Sequence, residues 1–173
     1  MTVEVQKRSY FKIALIVCVC LIVVVASSLA VTLALSGKAI FAGATPTNIG
    51  IESGKLAPCP TSPNCVSSQS QDAEHKIEPL TYTSSLAEAM ANLKTTIENM
   101  ERTKIITQTD NYLYAEFTSK LMGFVDDVEF FLDESANVIE IRSASRLGES
   151  DLGVNRQRIE TIRGKLKELE IKG

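Results

Sequence analysis

The 173-residue sequence is poor in the side chains that hold metals, with one histidine, His75, and no CxxC pair among its four cysteines. A zinc site takes four ligands, drawn mainly from cysteine and histidine. The sequence therefore argues against a metal site, and no cofactor is predicted. A nucleophile with a neighbouring base is also missing as a motif, so no catalytic residue is assigned.

The part of the chain after residue 51 also lacks an excess of basic residues. Residues 52–173 carry 14 Lys and Arg against 20 Asp and Glu, a net charge of −6. Nucleic-acid binding depends on basic side chains that displace counterions from phosphates. This balance excludes a nucleic-acid partner, and it offers no polybasic patch for anionic lipid.

No charged residue occurs between Ile13 and Leu35. A helix of that length spans roughly 34 Å, which is enough to cross the hydrocarbon core of a bilayer. The apolar part of a cleavable signal is usually only about 7–15 residues long, so a permanent anchor is the better interpretation. Ala42 and Ala44 form an A-x-A pattern, which leaves cleavage open as the alternative.

The flanks of the apolar stretch predict its direction. Lys7, Arg8 and Lys12 precede it, whereas only Lys38 follows closely. Basic residues tend to remain on the cytoplasmic side. We therefore expect a single-pass membrane protein with a cytoplasmic N-terminus (1–12), a transmembrane anchor (13–35), a linker (36–54) and a periplasmic or lumenal domain (55–173).

The cysteines fall into two pairs. Cys18 and Cys20 lie within the apolar stretch and act there as small hydrophobic residues. Cys59 and Cys65 lie in "APCPTSPNCVSS", where three prolines restrict the loop. In an oxidising compartment this arrangement favours a disulfide, with free thiols or a redox pair as alternatives.

The rest of the chain predicts an α+β fold. Ser85 and Glu88 form a capping box for a helix over about 85–101, with Leu86, Met90, Leu93, Ile97 and Met100 on one face. Two β-hairpins follow, the second made of "GFVDDVEFFLD", "ESAN" and "VIEIRSAS", and a last helix starts near Gly153. The expected domain is a two-layer sandwich, with a four-stranded antiparallel meander flanked by two helices.

The second hairpin places a carboxylate on its apolar side. With "ESAN" as the loop, the residue numbers of two cross-strand partners add up to 271, so Asp126 lies opposite Ser145. Asp126 then shares the inward side with Val128 and Phe130. The other side carries Glu129 opposite Arg142, as a cross-strand pair facing outward. A buried carboxylate requires partners. We expect them from Ser145, the Gly148–Gly153 turn, Asn155 or an arginine.

These polar residues form the candidate site. In a structural interpretation they hold the turn between the last strand and the last helix. In a functional one, the arginines and the helix N-terminus bind a small anion, although Asp151 already complements the helix dipole. The candidate ligand-binding residues are Asp126, Arg142, Ser143, Ser145, Arg146, Asp151, Asn155, Arg156 and Arg158.

The segments "LAPCPTSPNCVSS", "GFVDDVEF" and "RSASRLGESDLGVNRQRI" together resemble the family called domain of unknown function 1499. The resemblance covers roughly residues 55 to 170. It implies a small secreted, lumenal or membrane-attached domain, in some members from photosynthetic lineages with a thylakoid lumen, and it implies no catalytic residue.

Two classes of function follow from these observations. The first is a non-enzymatic binding or assembly module on a membrane, whose partner is a membrane-complex protein or a small anionic ligand. The second is an enzyme of unknown reaction that uses the Asp126 and arginine cluster or the Cys59–Cys65 pair. Asp126 and Asp127 cannot form a carboxylate pair, because adjacent strand residues point to opposite faces. His75, in a polar loop, is expected to be solvated.

Overall fold

The computed structural model describes residues 2–35 and 41–172, with side chains described for 12–32 and 41–171. It divides into two compact units, Met1–Ile40 and Phe41–Gly173. The first five residues of the predicted linker, 36–40, which include Lys38, lie outside the described residues. The first unit contains one helix, α1 (Thr2–Leu35). Within it Lys12–Thr32 is long and apolar enough, by length and composition, to cross a membrane.

The second unit contains six strands and two helices, in an order that confirms the predicted α+β class. The elements are β1 (Cys65–Ser67), β2 (Leu80–Thr81), α2 (Leu86–Glu98), β3 (Thr103–Gln108), β4 (Tyr112–Thr118), β5 (Val125–Asp133), β6 (Val138–Ser145) and α3 (Val154–Lys172). Helix α2 begins as its capping residue predicts, since the Ser85 hydroxyl accepts a hydrogen bond from the Glu88 backbone N–H.

Six strands form a single sheet in the order β1-β6-β5-β4-β3, and β2 also pairs with β6. The predicted meander is its centre, and the short strands β1 and β2 extend it beyond β6. The pairing of β5 with β6 follows the predicted register, with Asp126 opposite Ser145 and Glu129 opposite Arg142.

One face of the sheet carries the main hydrophobic core. Strands β4, β5 and β6 contribute Leu113, Val128, Phe130 and Ile141, none of which has any exposed surface. Helices α2 and α3 cover them with the predicted apolar stripes, including Leu93, Ile97, Ile159 and Ile162. This is the layer that the hydrophobic periodicity indicated.

The opposite face of the sheet is covered too. Residues 41–58, here called the strap, cross it, and Leu56 and Ile49 pack against Tyr112 and Tyr114. Glu129 and Arg142 were expected to face outward as a surface pair. Glu129 instead has an exposed fraction of 0%. The expectation of a surface pair is wrong because the strap covers this face of the sheet. The strap is extended, so its sequence lacks the apolar periodicity by which a covering helix is recognised.

Candidate functional site

Asp126 lies where the hairpin analysis placed it, on the face covered by the helices. It is buried and forms an ion pair with Arg158 of α3. The Arg158 guanidinium also lies over the ring of Phe117, 4.8 Å from its centroid. The expected arginine partner is therefore present, and it comes from the first turns of the last helix.

A chain of hydrogen bonds extends from this ion pair into the core. Arg158 donates to the Ser143 hydroxyl at 3.0 Å, and that hydroxyl donates to Asn155 Oδ1 at 2.6 Å. The Asn155 amide donates to Ser145 Oγ at 3.1 Å and to the backbone carbonyl of Asn64 at 2.9 Å. The polar network predicted around Asp126 is thus confirmed, and it links α3, β6 and the residue before β1.

Arg146 belongs to a different network, on the face covered by the strap. Its Nε donates to Asp127 Oδ2 at 2.9 Å and its guanidinium also reaches Glu116. Tyr114 donates to Asp127 Oδ1 at 2.5 Å. Two-residue alternation continues past Ser145, which turns Arg146 away from Asp126. The prediction of a single cluster that contains both Asp126 and Arg146 is therefore wrong.

The same environment shifts the pKa of two side chains. Hydrogen bonds to Asp127 and Glu116, opposed by burial, hold the pKa of Arg146 above its ordinary range. Burial and the hydrogen bond to Asp127 raise the pKa of Tyr114. Both groups keep one protonation state at physiological pH. Arg146 therefore acts in this network as a permanent cation and Tyr114 as a neutral hydrogen-bond donor.

Glu129 and Arg142 form a second ion pair on the strap face. The Glu129 carboxylate accepts hydrogen bonds from Arg142 at 3.3 Å, Tyr112 Oη at 2.8 Å and the backbone N–H of Gly50 at 2.7 Å. The last of these bonds fastens the strap to the sheet. Arg142 Nε is buried and has no hydrogen-bond partner among the described residues. Burial and the neighbouring Glu129 raise the pKa of Tyr112.

The last two candidate residues lie at the borders of these networks. Asp151 caps α3, accepting hydrogen bonds from the backbone N–H groups of Gly153 at 3.0 Å and Asn155 at 2.7 Å. Arg156 donates to the backbone carbonyls of Lys76 and Glu74, both at 2.8 Å. The nine candidates therefore separate into an inner group (Asp126, Ser143, Ser145, Asn155, Arg158), a strap-face group (Arg142, Arg146) and two loop-holding residues (Asp151, Arg156).

The predicted disulfide joins Cys59 to Cys65 across a Cα–Cα distance of 5.7 Å. His75 lies behind this loop, and the expectation that it is solvated is wrong, because the ring is buried. Its Nδ1 lies 2.7 Å from Asp72 Oδ1, and its Nε2 lies 3.1 Å from the Ser62 carbonyl. Burial disfavours the charged ring, but these two oxygens outweigh it and raise the pKa of His75.

An open groove runs beside the disulfide loop. Its volume is about 600 Å³, and its walls include Pro58, Cys59, Gln69, Asp72 and His75. A second cavity of about 560 Å³ shares residues 55–58 with it, on the other side of the end of the strap. Among the residues that the structure describes, no group of three His, Cys, Asp or Glu side chains is arranged to hold a metal ion.

Sequence reasoning missed the role of the strap and of Asn64. Strand alternation in the sequence places Tyr112, Tyr114 and Glu116 on one face of β4, and this pattern is the signal that could have indicated a second polar network. Asn64 donates to the Gly148 carbonyl at 2.6 Å and so ties the loop that follows β6 to the start of β1. No periodicity marks such a contact, which joins residues 84 positions apart.

A family model described as "Protein of unknown function (DUF1499)" matches residues 55–166, well over half of the chain. The chain belongs to the DUF1499 family. The DUF1499 match includes the disulfide loop, the central sheet, the inner group, the strap-face group and most of α3, but it begins after most of the strap. A search of the curated proteins finds no match to the chain.

Proposed function

We propose that this DUF1499 chain is a single-pass membrane protein whose domain is a non-enzymatic binding module on the periplasmic or lumenal side. The apolar length of Lys12–Thr32 supports the anchor. The basic residues before it support a cytoplasmic N-terminus. The Cys59–Cys65 bridge supports an oxidising compartment for the domain, since cytosolic thiols are kept reduced.

The groove beside the disulfide loop carries the binding proposal. One wall is the bridged, proline-rich loop, and the buried ring of His75 supports this loop from behind. A wall held in this way loses little conformational entropy when a partner binds. The groove is open to solvent and is lined by two separate stretches of chain, residues 55–61 and 67–75, and an open groove of this kind suits a protein segment better than an enclosed small molecule.

The charges of the domain favour a protein partner over a small anion. Arg142, Arg146 and Arg158 each form an ion pair with a buried carboxylate. An anion would have to displace these partners and leave a buried carboxylate unpaired, which is costly. The groove itself bears Asp72 and Glu74 against the single lysine Lys55, so a partner segment with basic or neutral side chains fits it best.

The alternative of an enzyme meets two physical obstacles. Cys65 has an exposed fraction of 2%, which blocks attack on the disulfide from that side. Asp126 is buried and engaged by Arg158 in an ion pair, so its carboxylate is not open to a substrate. Both features support a module whose polar residues maintain its shape.

Site-specific photo-crosslinking in native membranes tests the binding proposal. A photoreactive amino acid replaces Gln71 in the groove of the full-length protein, and in a control protein it replaces the exposed Lys94 on α2. A discrete crosslinked product at position 71 and none at position 94 is expected. The same products at both positions, or none at either, would refute the groove as the binding site.

Two further measurements separate the remaining parts of the proposal. Alkaline carbonate extraction of the full-length protein should leave it in the membrane, and release into the supernatant would count against the anchor. Thermal denaturation with added phosphate or sulfate should show no stabilisation. A clear rise in Tm would favour the small anionic ligand instead.

A further inference from the structure

Two loops at the same end of the sheet expose apolar side chains. One is residues 119–124 between β4 and β5, and the other is residues 146–153 between β6 and α3. Leu121 is 94% exposed and Leu152 is 93% exposed. Met122, Leu147 and Val154 are also exposed. These five residues are here called the apolar rim. Exposed leucines are common singly, but a group on adjacent loops marks an interaction surface.

The two loops are joined at their base. The Arg146 backbone N–H donates to the Val125 carbonyl at 3.1 Å, which places the second loop beside the start of β5. A shallow cavity of about 250 Å³ lies at this end, lined by Phe124 and by Leu147, Leu152 and Val154 of the rim. Leu147, Leu152 and Val154 therefore border one depression together with Phe124, and Leu121 and Met122 are exposed on the adjoining loop.

The turn that exposes the Leu152 side chain has a fixed backbone conformation. Its φ is +55°, in the left-handed region that a leucine rarely adopts. Side-chain hydrogen bonds hold the turn, because Ser150 Oγ accepts from the Leu152 N–H at 3.2 Å and Asp151 caps the following helix. Neither the backbone conformation nor packing within the domain favours leucine here, which is a reason to expect a contact outside the domain.

The domain receives its N-terminal connection at this same end. The ring of Phe41 stacks on Phe124 with centroids 5.1 Å apart. Gly43 lies against the next loop, where a Cβ would approach Arg146 Cβ to 2.9 Å. Phe41 follows the end of α1 at Leu35 by six residues. That length of chain spans at most about 20 Å when fully extended. The end of the domain that carries the rim is therefore the end at which the chain from the anchor enters it.

The charges beside the rim indicate how it would meet a membrane. Lys120 is accompanied by Glu149 and Asp151, so the surroundings are not basic. Anionic headgroups would therefore not attract this surface, and its affinity would come from burying leucine and methionine side chains.

We propose that the apolar rim inserts into the interfacial region of the lipid bilayer that anchors the chain. This inference rests on the membrane anchorage proposed above, and it adds a second contact that orients the domain. The rim end, with Leu121 and Leu152, faces the lipid. The C-terminal end of α3 then points away from it, since α3 begins at the rim with Val154 and runs for 19 residues.

The absence of tryptophan from the sequence provides a direct test. Leu121→Trp gives the full-length protein a single reporter in the rim, and Ile171→Trp gives a control at an 85% exposed position near the end of α3. In phosphatidylcholine bilayers, the emission of the reporter at 121 should shift to shorter wavelength and be quenched by lipids brominated on their acyl chains. The reporter at 171 should show neither effect.

A water-like, unquenched spectrum at position 121 in protein that floats with the bilayers would overturn the proposal. Failure of the whole protein to float would instead show that α1 does not anchor the chain. The same reporters are then placed in residues 41–173, a compact unit with its own sheet, core and disulfide. Quenching at 121 with added phosphatidylcholine vesicles supports the rim contact independently of the anchor, and its absence overturns it.

Leu152→Asn separates lipid contact from folding. Asparagine tolerates the left-handed conformation, so the denaturation midpoint of residues 41–173 should be unchanged or higher. Partitioning of the same variant onto phosphatidylcholine vesicles should fall on the order of tenfold, because one buried leucine is lost. Unchanged partitioning, or binding that requires anionic lipid, would contradict insertion of the rim.

Discussion

The two faces of the sheet are covered in different ways, and the difference shows what each cover contributes. Helices α2 and α3 bury a mainly apolar layer, which also contains the network of Asp126 and Arg158 and the buried hydroxyl of Thr96. The strap buries Glu129, Asp127, Arg142 and Arg146, together with two tyrosines. Helices supply a broad apolar stripe, whereas a single extended segment covers less apolar surface and leaves room for paired charges.

The neighbouring aspartates of β5 make this difference visible at one point of the chain. Asp126 points toward the helices and Asp127 toward the strap, and each has an arginine from the segment after β6. We expect the charged pairs to favour one register between β5 and β6 and to fix the positions of the strap and α3 on the sheet. The apolar layer contributes most of the stability through burial.

The largest expected effect comes from breaking the charge pairing under the strap. Glu129→Ala leaves Arg142 buried without a carboxylate and removes the acceptor for Gly50 and Tyr112. The free energy of unfolding should fall by about 3–5 kcal/mol. Urea denaturation of residues 41–173 measures it. The control, Glu98→Ala, removes an exposed ion pair with Lys94 and should cost less than about 0.5 kcal/mol. Equal losses would contradict the buried role of Glu129.

A second prediction concerns the end of the strap, which the disulfide attaches to the edge of the sheet. Cys59→Ser opens a loop with a sequence separation of 6, and loop-closure entropy gives an expected loss of about 2–3 kcal/mol. Hydrogen exchange should also increase within the strap while the core under α2 and α3 stays protected. The control, Cys18→Ser, changes a cysteine of α1 and should leave the domain's unfolding unchanged. Uniform loss of protection on both faces would show that the two covers are not independent.

A third prediction compares the two aspartates directly. Asp127→Asn weakens bonds to Arg146 and Tyr114, whereas Asp126→Asn weakens the single ion pair with Arg158. We expect losses of about 1.5–3 kcal/mol for each, with the larger at Asp127. The double variant should lose the sum to within about 0.5 kcal/mol, since the two networks share no partner. Strong coupling between the two changes would argue that one network spans both faces.

The smallest expected effect is the pH dependence at the strap's attachment. The pKa of His75 is raised from its ordinary value of 6.5, so the folded protein holds the proton more tightly than the unfolded chain. This stability is fully present below pH 6.5 and is lost as pH rises through the pKa of the folded state. The urea midpoint should therefore fall as the pH rises above 6.5. His75→Asn should remove this part of the slope, and an unchanged slope would assign it to other groups.

Local patterns predicted much of the fold. The spacing of Leu93 and Ile97 predicted α2, and Ser85 predicted its start. Alternation around Phe130, with "ESAN" as the loop, predicted the register of β5 with β6. The candidate site was predicted only in part. The alternation of side chains along a strand assigns each residue to a face of the sheet, but it does not show which segment covers that face.

Composition and periodicity alone determined the apolar helix, the order of helices and strands, the Cys59–Cys65 pair and the inward position of Asp126. These features depend on neighbours in sequence or on a regular repeat of 2 or 3.6 residues. Only the tertiary structure decided that residues 41–58 cover the second face, that His75 is buried and that Arg146 and Arg158 serve opposite networks. These contacts join residues that are distant in sequence, and they involve irregular segments. Such segments have no periodic pattern of apolar residues from which their partners could be predicted.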